Sequence, residues 1–221
     1  MIWKIFVLDW RAMQLISKVV ILCCPLFLFL VGITHQLLVL PMSMWFALTI
    51  AVSTFQDEEK CSLEKLYHTL PVTRRQIVNA RFLYSFVLML IFIPISHGVT
   101  AITRLFASSR WYFGTEGNLT LIAFGVLAFA VFHLFMFPLL FKLGYQKGKM
   151  LGLYLPSGLF GGLYMLYLTL ETAFRGNITF RFIVFASEYL WVVSAGVFTL
   201  AMGLLGLSYV LSQRLYARRE L

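Results

Sequence analysis

Residues 19–56 read VVILCCPLFLFLVGITHQLLVLPMSMWFALTIAVSTFQ, 38 consecutive positions without one charged side chain. A helix needs about 20 apolar residues to cross the roughly 30 Å of hydrocarbon in a bilayer, so this run is nearly twice too long for one crossing. Its only polar cluster is Gly32-Ile33-Thr34-His35-Gln36, in the middle. The reading is therefore two membrane helices joined by a tight turn at 32–36. Four further uncharged stretches follow, Phe82 to Thr103, Gly117 to Phe141, Met150 to Leu170 and Tyr189 to Gln213, each of single-span length. The sequence thus predicts six spans.

The basic residues test that split. Six spans put both termini and the loops 56–81 and 142–149 on one side. That side holds fourteen Lys and Arg, and the other only Arg104, Arg110, Arg175 and Arg181. Reading 19–56 as one long helix divides the same residues eleven to seven. Positive charge gathers on the cytoplasmic side of membrane proteins, which favours six spans with both ends in the cytoplasm.

Composition agrees. Of 221 residues, 61% are hydrophobic and 12% charged, against about a quarter charged in an ordinary soluble domain. Mean hydropathy is +0.87. This excludes a soluble enzyme and a disordered chain. It leaves an all-α polytopic membrane protein, a single transmembrane domain over 1–221. The net charge of +9 points to cytoplasmic loops facing anionic lipid, with no nucleic acid as partner. Lys4, Asp9, Arg11 and Lys18 interrupt the N-terminal region, which is not the pattern of a cleavable signal. Cys23, Cys24 and Cys61 offer neither a disulfide framework nor a metal-binding spacing.

Five prolines (Pro25, Pro41, Pro94, Pro138, Pro156) fall within spans, where each removes a backbone hydrogen bond that lipid cannot replace. Gly158 with Gly162, and Ala195, Thr199 and Gly203, give small residues at four-residue spacing, the pattern of close helix packing. Residues 1–18 are amphipathic: Trp3, Phe6, Trp10 and Met13 recur at helical spacing opposite Lys4, Arg11 and Lys18. Such a helix lies in the headgroup layer, as a surface anchor or as an elbow bracing the bundle.

The loop 56–81 opens with Asp57-Glu58-Glu59-Lys60. Ser62 follows as a possible N-cap, with Glu64 in the first turn, and Leu63, Leu66, Tyr67 and Leu70 fall on one helical face before Pro71. A second helical stretch starts near Thr73 and runs into the third span. The apolar stripe of the short helix needs a surface to bury against: the chain's own helices, the lipid, or a groove on a partner.

With its acidic cluster, short helix and Leu70-Pro71-Val72-Thr73-Arg74-Arg75-Gln76-Ile77-Val78, this segment resembles the first cytoplasmic loop of type-2 ATP-binding-cassette transporter permeases. It is similar more narrowly to small bacterial permeases such as those of the phenol-soluble modulin exporter. The resemblance extends to the whole layout: elbow helix, six spans, coupling helix between spans two and three, short basic loop 142–149, and basic tail after the last span. It implies a permease subunit of an exporter in the bacterial cytoplasmic membrane, paired with a second permease copy or a sister permease. ATPase coupling would fall to Glu64, Leu66, Tyr67, Leu70, Pro71, Arg74 and Arg75. ATP and magnesium would be bound by a separate ATPase subunit, with no cofactor in this chain. It also places short re-entrant helices in 171–188, where Glu188 would close an outer gate or be solvated at the interface.

Chemistry of its own is not expected of the chain. Gly144-Tyr145-Gln146-Lys147-Gly148-Lys149 has three residues between its glycines, and Met150 follows the lysine. A phosphate-binding loop needs four, then Ser or Thr. Leu155-Pro156-Ser157-Gly158 lacks the first glycine of a membrane serine protease, and no His-Glu-x-x-His occurs. No catalytic or metal-ligating residue is assigned. His97 and His133 lie at membrane depth, each near a proline, either as functional groups or as neutral imidazoles bridging helices. The aromatic content of 17% with few charges suits a path for an amphipathic peptide or lipid-like substrate better than one for an ion. The competing reading is a membrane sensor or immunity protein that uses the same loop to bind lipid or a regulator.

Overall fold

The computed structural model describes residues 7, 17–34, 39–61, 73–106, 115–152, 154, 158, 169 and 189–218. Every regular element among them is helical. The helices are α1 (Ser17–Thr34), α2 (Val39–Cys61), α3 (Arg74–Phe106), α4 (Thr115–Leu143), α5 (145–152) and α6 (Leu190–Ala217). Four are long and apolar enough to cross a membrane, over Val39–Gln56, Arg74–Thr103, Leu119–Leu143 and Leu190–Ala217; α1 carries a shorter apolar stretch, Cys23–Ile33. Helix is the expected outcome for such sequences, because only a helix or a closed barrel satisfies every backbone group where no water is present.

The 19–56 run folds as two helices, α1 ending at Thr34 and α2 starting at Val39. Pro41 falls in the first turn of α2, where its missing N–H has no intrahelical acceptor to lose. Pro25, Pro94 and Pro138 sit in the interior of described helices, past the first turn. The acidic cluster 57–60, read from the sequence as the opening of a loop, is instead the last turn of α2. Helix α3 begins with a reciprocal cap: the Thr73 N–H donates to Gln76 Oε1 at 3.1 Å, and the Gln76 N–H reaches Thr73 Oγ1 at 3.4 Å. This capping box satisfies two orphan donors and fixes where the helix starts. The amphipathic segment 1–16, apart from residue 7, lies outside the described residues, as do 62–72 and most of 153–188.

Paired contacts set the helix directions. Gly125 on α4 lies under Leu40 of α2, Trp45 packs edge-on against Phe132, and Phe55 packs against Phe141. Residue numbers rise together along both helices, so α2 and α4 are parallel. Helices α4 and α6 are parallel too, through Thr120 with Ser194, His133 with Ser208 and Phe141 with Tyr216, a constant offset of 74 or 75. On α4, Ala123, Val126, Ala130, His133, Phe137 and Leu140 are all buried. That alternation of three and four residues is the seam of near-parallel, left-handed packing. Helix α6 answers with buried Ala201, Ser208, Ser212 and Tyr216, mostly small residues that let the backbones approach. Its other side is open, with Trp191, Val192 and Leu200 more than half exposed.

Candidate functional site

The side chains that could do more than pack meet at one end of the bundle, where α2 ends, α3 begins, α4 turns into α5 and α6 ends. Acidic residues at a helix C-terminus oppose the helix dipole, yet α2 continues through Glu58 and Glu59 because each finds a partner outside its own helix. Glu58 pairs with Arg81 of α3 at 2.7 Å. Arg81 is only 2% exposed, and its guanidinium lies over the Phe55 ring at 4.0 Å and near Phe141 at 5.9 Å. A desolvated cation thus meets the Glu58 carboxylate and aromatic faces, the arrangement in which cation–π attraction counts most. The ion pair spans the two ends of the 62–72 segment.

Glu59 points elsewhere. Its Oε2 accepts the backbone N–H groups of Tyr145 and Gln146, at 3.1 and 3.3 Å, and the Tyr145 hydroxyl donates to Gln56 Oε1 at 3.2 Å. Tyr145 is the first residue of α5, immediately after Gly144. That glycine has φ +79°, and its N–H donates to Leu140 O at 3.0 Å, a left-handed helix ending that glycine adopts without steric penalty. The chain reverses there and α5 lies back along α4. A Cβ on Gly148 would come within 2.8 Å of Leu140 Cα, and one on Gly152 within 2.9 Å of Met136 Cα. The small-residue packing that the structure describes for this turn is therefore Gly148-xxx-Gly152. At Gly158 and Gly203 the described residues leave at least 4 Å of open space.

The start of α3 is fastened to the end of α6. Arg74 Nη1 donates to the carbonyls of Tyr216 and Ala217, at 3.3 and 3.2 Å, satisfying terminal carbonyls with a cation where the dipole favours one. One turn on, Asn79 Oδ1 accepts from the Tyr209 hydroxyl at 2.8 Å and from Gln213 Nε2 at 3.2 Å. The outer margin of this platform is basic, with Arg75, Lys142, Lys147, Lys149, Arg214 and Arg218 all exposed.

Of the residues expected to couple, Arg74 and Arg75 fall within the described part; Arg74 grips α6 and Arg75 is exposed. Glu64, Leu66, Tyr67, Leu70 and Pro71 lie outside it, as does Glu188, the residue expected at an outer gate or solvated at the interface. His133 sits deep between α3, α4 and α6. Its Nε2 is 3.1 Å from Ser85 Oγ and its Nδ1 is 3.0 Å from Ser208 Oγ, while the Ser208 hydroxyl also reaches the His133 carbonyl. The ring stacks on Phe137 at 3.6 Å. His97 is half-buried further along α3 and takes no part in this junction. Sequence reasoning missed Glu58, Glu59, Asn79, Arg81 and Tyr145 as a set. The available signal was Arg81 itself, which falls on the buried stripe of Ile77, Tyr84 and Leu88; a cation on such a stripe requires a buried counter-charge.

Away from the charged end, a half-open pocket of about 380 Å³ lies between α2 and α4. It is lined by apolar residues alone, among them Pro41, Met44, Trp45, Leu48, Phe129 and Phe132.

Residues 1–217 match the family described as ABC-2 family transporter protein. The chain belongs to that family. It is therefore a membrane permease component of an ABC transporter, and membership implies an ABC ATPase partner in general terms. No curated protein and no solved structure matches the permease.

Proposed function

We propose that the permease is the membrane subunit of an ATP-driven exporter in the bacterial cytoplasmic membrane. It pairs with a second copy or a sister permease and docks one ATPase per copy through the 62–75 segment. The observation that carries this reading is the Glu58–Arg81 pair. It brackets the loop whose residues resemble a coupling helix, so a push on that loop would be delivered to α2 and α3 together. Movement of those helices would reach α6 through Arg74 and Asn79, and α4 through Phe55.

The six-span reading, with both termini cytoplasmic, is supported by the parallel sense of α2, α4 and α6. Consecutive parallel crossings require the chain to return between them, which α3 does for the first pair and the 145–189 region would do for the second. The closeness to permeases of the phenol-soluble modulin exporter rests on the loop motif. The apolar cavity favours an amphipathic peptide or lipid-like substrate, since such pockets take up apolar chains and exclude ions.

The test is purification of the tagged permease from native membranes in mild detergent, with mass spectrometry of what accompanies it. A stoichiometric ABC ATPase is expected, and the Leu66→Asp/Tyr67→Asp variant should reach the membrane without it. A permease recovered alone under these conditions would refute the reading and favour a sensor or immunity protein.

A further inference from the structure

Helix α5 has no cap of its own. The residue before it is Gly144, which has no side chain to offer the first N–H groups of the helix. Those of Tyr145 and Gln146 are instead met by Glu59, 86 and 87 positions away on α2. A carboxylate is the preferred partner at a helix N-terminus, because the exposed N–H groups and the helix dipole both favour negative charge. The neighbouring Glu58, about 100° further round the helix, faces Arg81 of α3. The last turn of α2 is therefore a fork, with one prong on the far side of the 62–72 loop and the other on the connection after α4. Gln56, three residues before Glu59 and so on the same face, adds the Tyr145 hydroxyl contact.

We infer that Glu59 is a positioning residue which ties the start of α5 to the stem of the 62–72 loop, so that the two connections on the charged face move as one body when the ATPase acts. This rests on the permease reading above. It adds that the 144–149 connection is driven from within the chain through Glu59, with no need for the ATPase to grip it directly. Gly148 and Gly152 suit the task, because close backbone packing makes α5 and the end of α4 a rigid corner that one capping contact can steer.

The test uses the permease with its co-purifying ATPase in lipid nanodiscs. Spin labels sit at Leu83→Cys, on the exposed face of α3, and at Lys147→Cys, on the exposed face of α5; Cys23, Cys24 and Cys61 are replaced by serine. The distance distribution between the labels is read without nucleotide and after vanadate trapping with ATP. With Glu59 present, it should be narrow and the same in both states. Glu59→Ala should leave the nucleotide-free distribution unchanged, broaden the trapped one, and lower the apparent coupling of ATP hydrolysis to trapping about fivefold. Glu59→Gln, which keeps an acceptor oxygen, should restore most of the narrow distribution.

A trapped distribution that stays narrow in Glu59→Ala overturns the inference, and so does one that already broadens with Glu59 in place. Loss of the ATPase from Glu59→Ala would also overturn it, by making Glu59 a docking contact. If no ATPase accompanies even the unaltered permease, the exporter reading itself fails and takes this inference with it. The purification result separates the two failures.

Discussion

Replacing Glu58 by Gln should destabilise the permease by about 3 kcal/mol, a loss set by the burial of its partner. At 2.7 Å, two unit charges attract by about 6 kcal/mol at an effective dielectric constant of about 20. Desolvating Arg81, which is 2% exposed, offsets a large part of that. What remains is asymmetric. Removing the carboxylate takes a close counter-charge from a buried cation, a change for which losses of about 3–5 kcal/mol are typical; Gln keeps an acceptor, which puts the value at the lower end. Arg81→Met removes the buried charge together with the contact over Phe55 at 4.0 Å, and leaves Glu58, which is 17% exposed, able to recruit water. Its cost should be about 2 kcal/mol, mostly the lost cation–π attraction. The double variant Glu58→Gln/Arg81→Met lacks both charges and should also cost about 2 kcal/mol, giving a coupling energy of about 3 kcal/mol. The measurement is unfolding of the purified permease by titration with sodium dodecyl sulfate, followed by tryptophan fluorescence. The coupling should survive a rise from about 0.05 to 0.5 M salt, because a buried pair is poorly screened. A cost below about 1 kcal/mol for Glu58→Gln, or additive single variants, would refute the buried bracket and the route it provides from the loop to α2 and α3.

The glycines give a contrast by the same measurement. Gly148→Ala and Gly152→Ala should each destabilise by about 1–3 kcal/mol, since their Cβ atoms would meet backbone at 2.8 and 2.9 Å. Gly203→Ala and Gly206→Ala, with open space around them among the described residues, should change stability by less than about 0.5 kcal/mol or raise it. Ser208→Ala removes a hydroxyl that meets both His133 Nδ1 and the His133 carbonyl, and should cost about 1 kcal/mol. His133→Ala also empties the space against Phe137 and should cost about 2–4 kcal/mol. A cost for His133→Ala no larger than that for Ser208→Ala would show that the ring is not packed. Single cysteines at Arg75, Lys147 and Arg218 should react with a membrane-impermeant maleimide from one face of sealed vesicles, and those at Leu105 and Tyr189 from the other. Labelling of Lys147 and Arg218 from opposite faces would break the parallel arrangement of α4 and α6.

Much of the fold was legible because the bilayer makes helix formation a local matter. Residues 19–56 are too long for one crossing and carry one polar interruption; the structure divides the run there, though α1 continues through Gly32, Ile33 and Thr34 before it ends, and α2 begins at Val39. Thr73-Arg74-Arg75-Gln76 was readable as the start of α3 for the same reason, since a capping box is complete within four residues. The boundary that escaped was the end of α2. By local rules Glu58 and Glu59 belong in a loop, and only partners on α3 and α5 allow the helix to run through them.

The sequence by itself determined the membrane class and the division of 19–56 into two helices, because hydropathy and capping act over a few residues. The tertiary structure alone decided that Arg81 answers Glu58, that Glu59 caps a helix 86 residues away, and that His133 joins Ser85 to Ser208. Such pairings depend on which helix faces meet and at what register. An offset of 74 or 75 residues between two parallel helices leaves no mark in either sequence, because the close approach that sets it is made by small residues that would serve at several registers equally well.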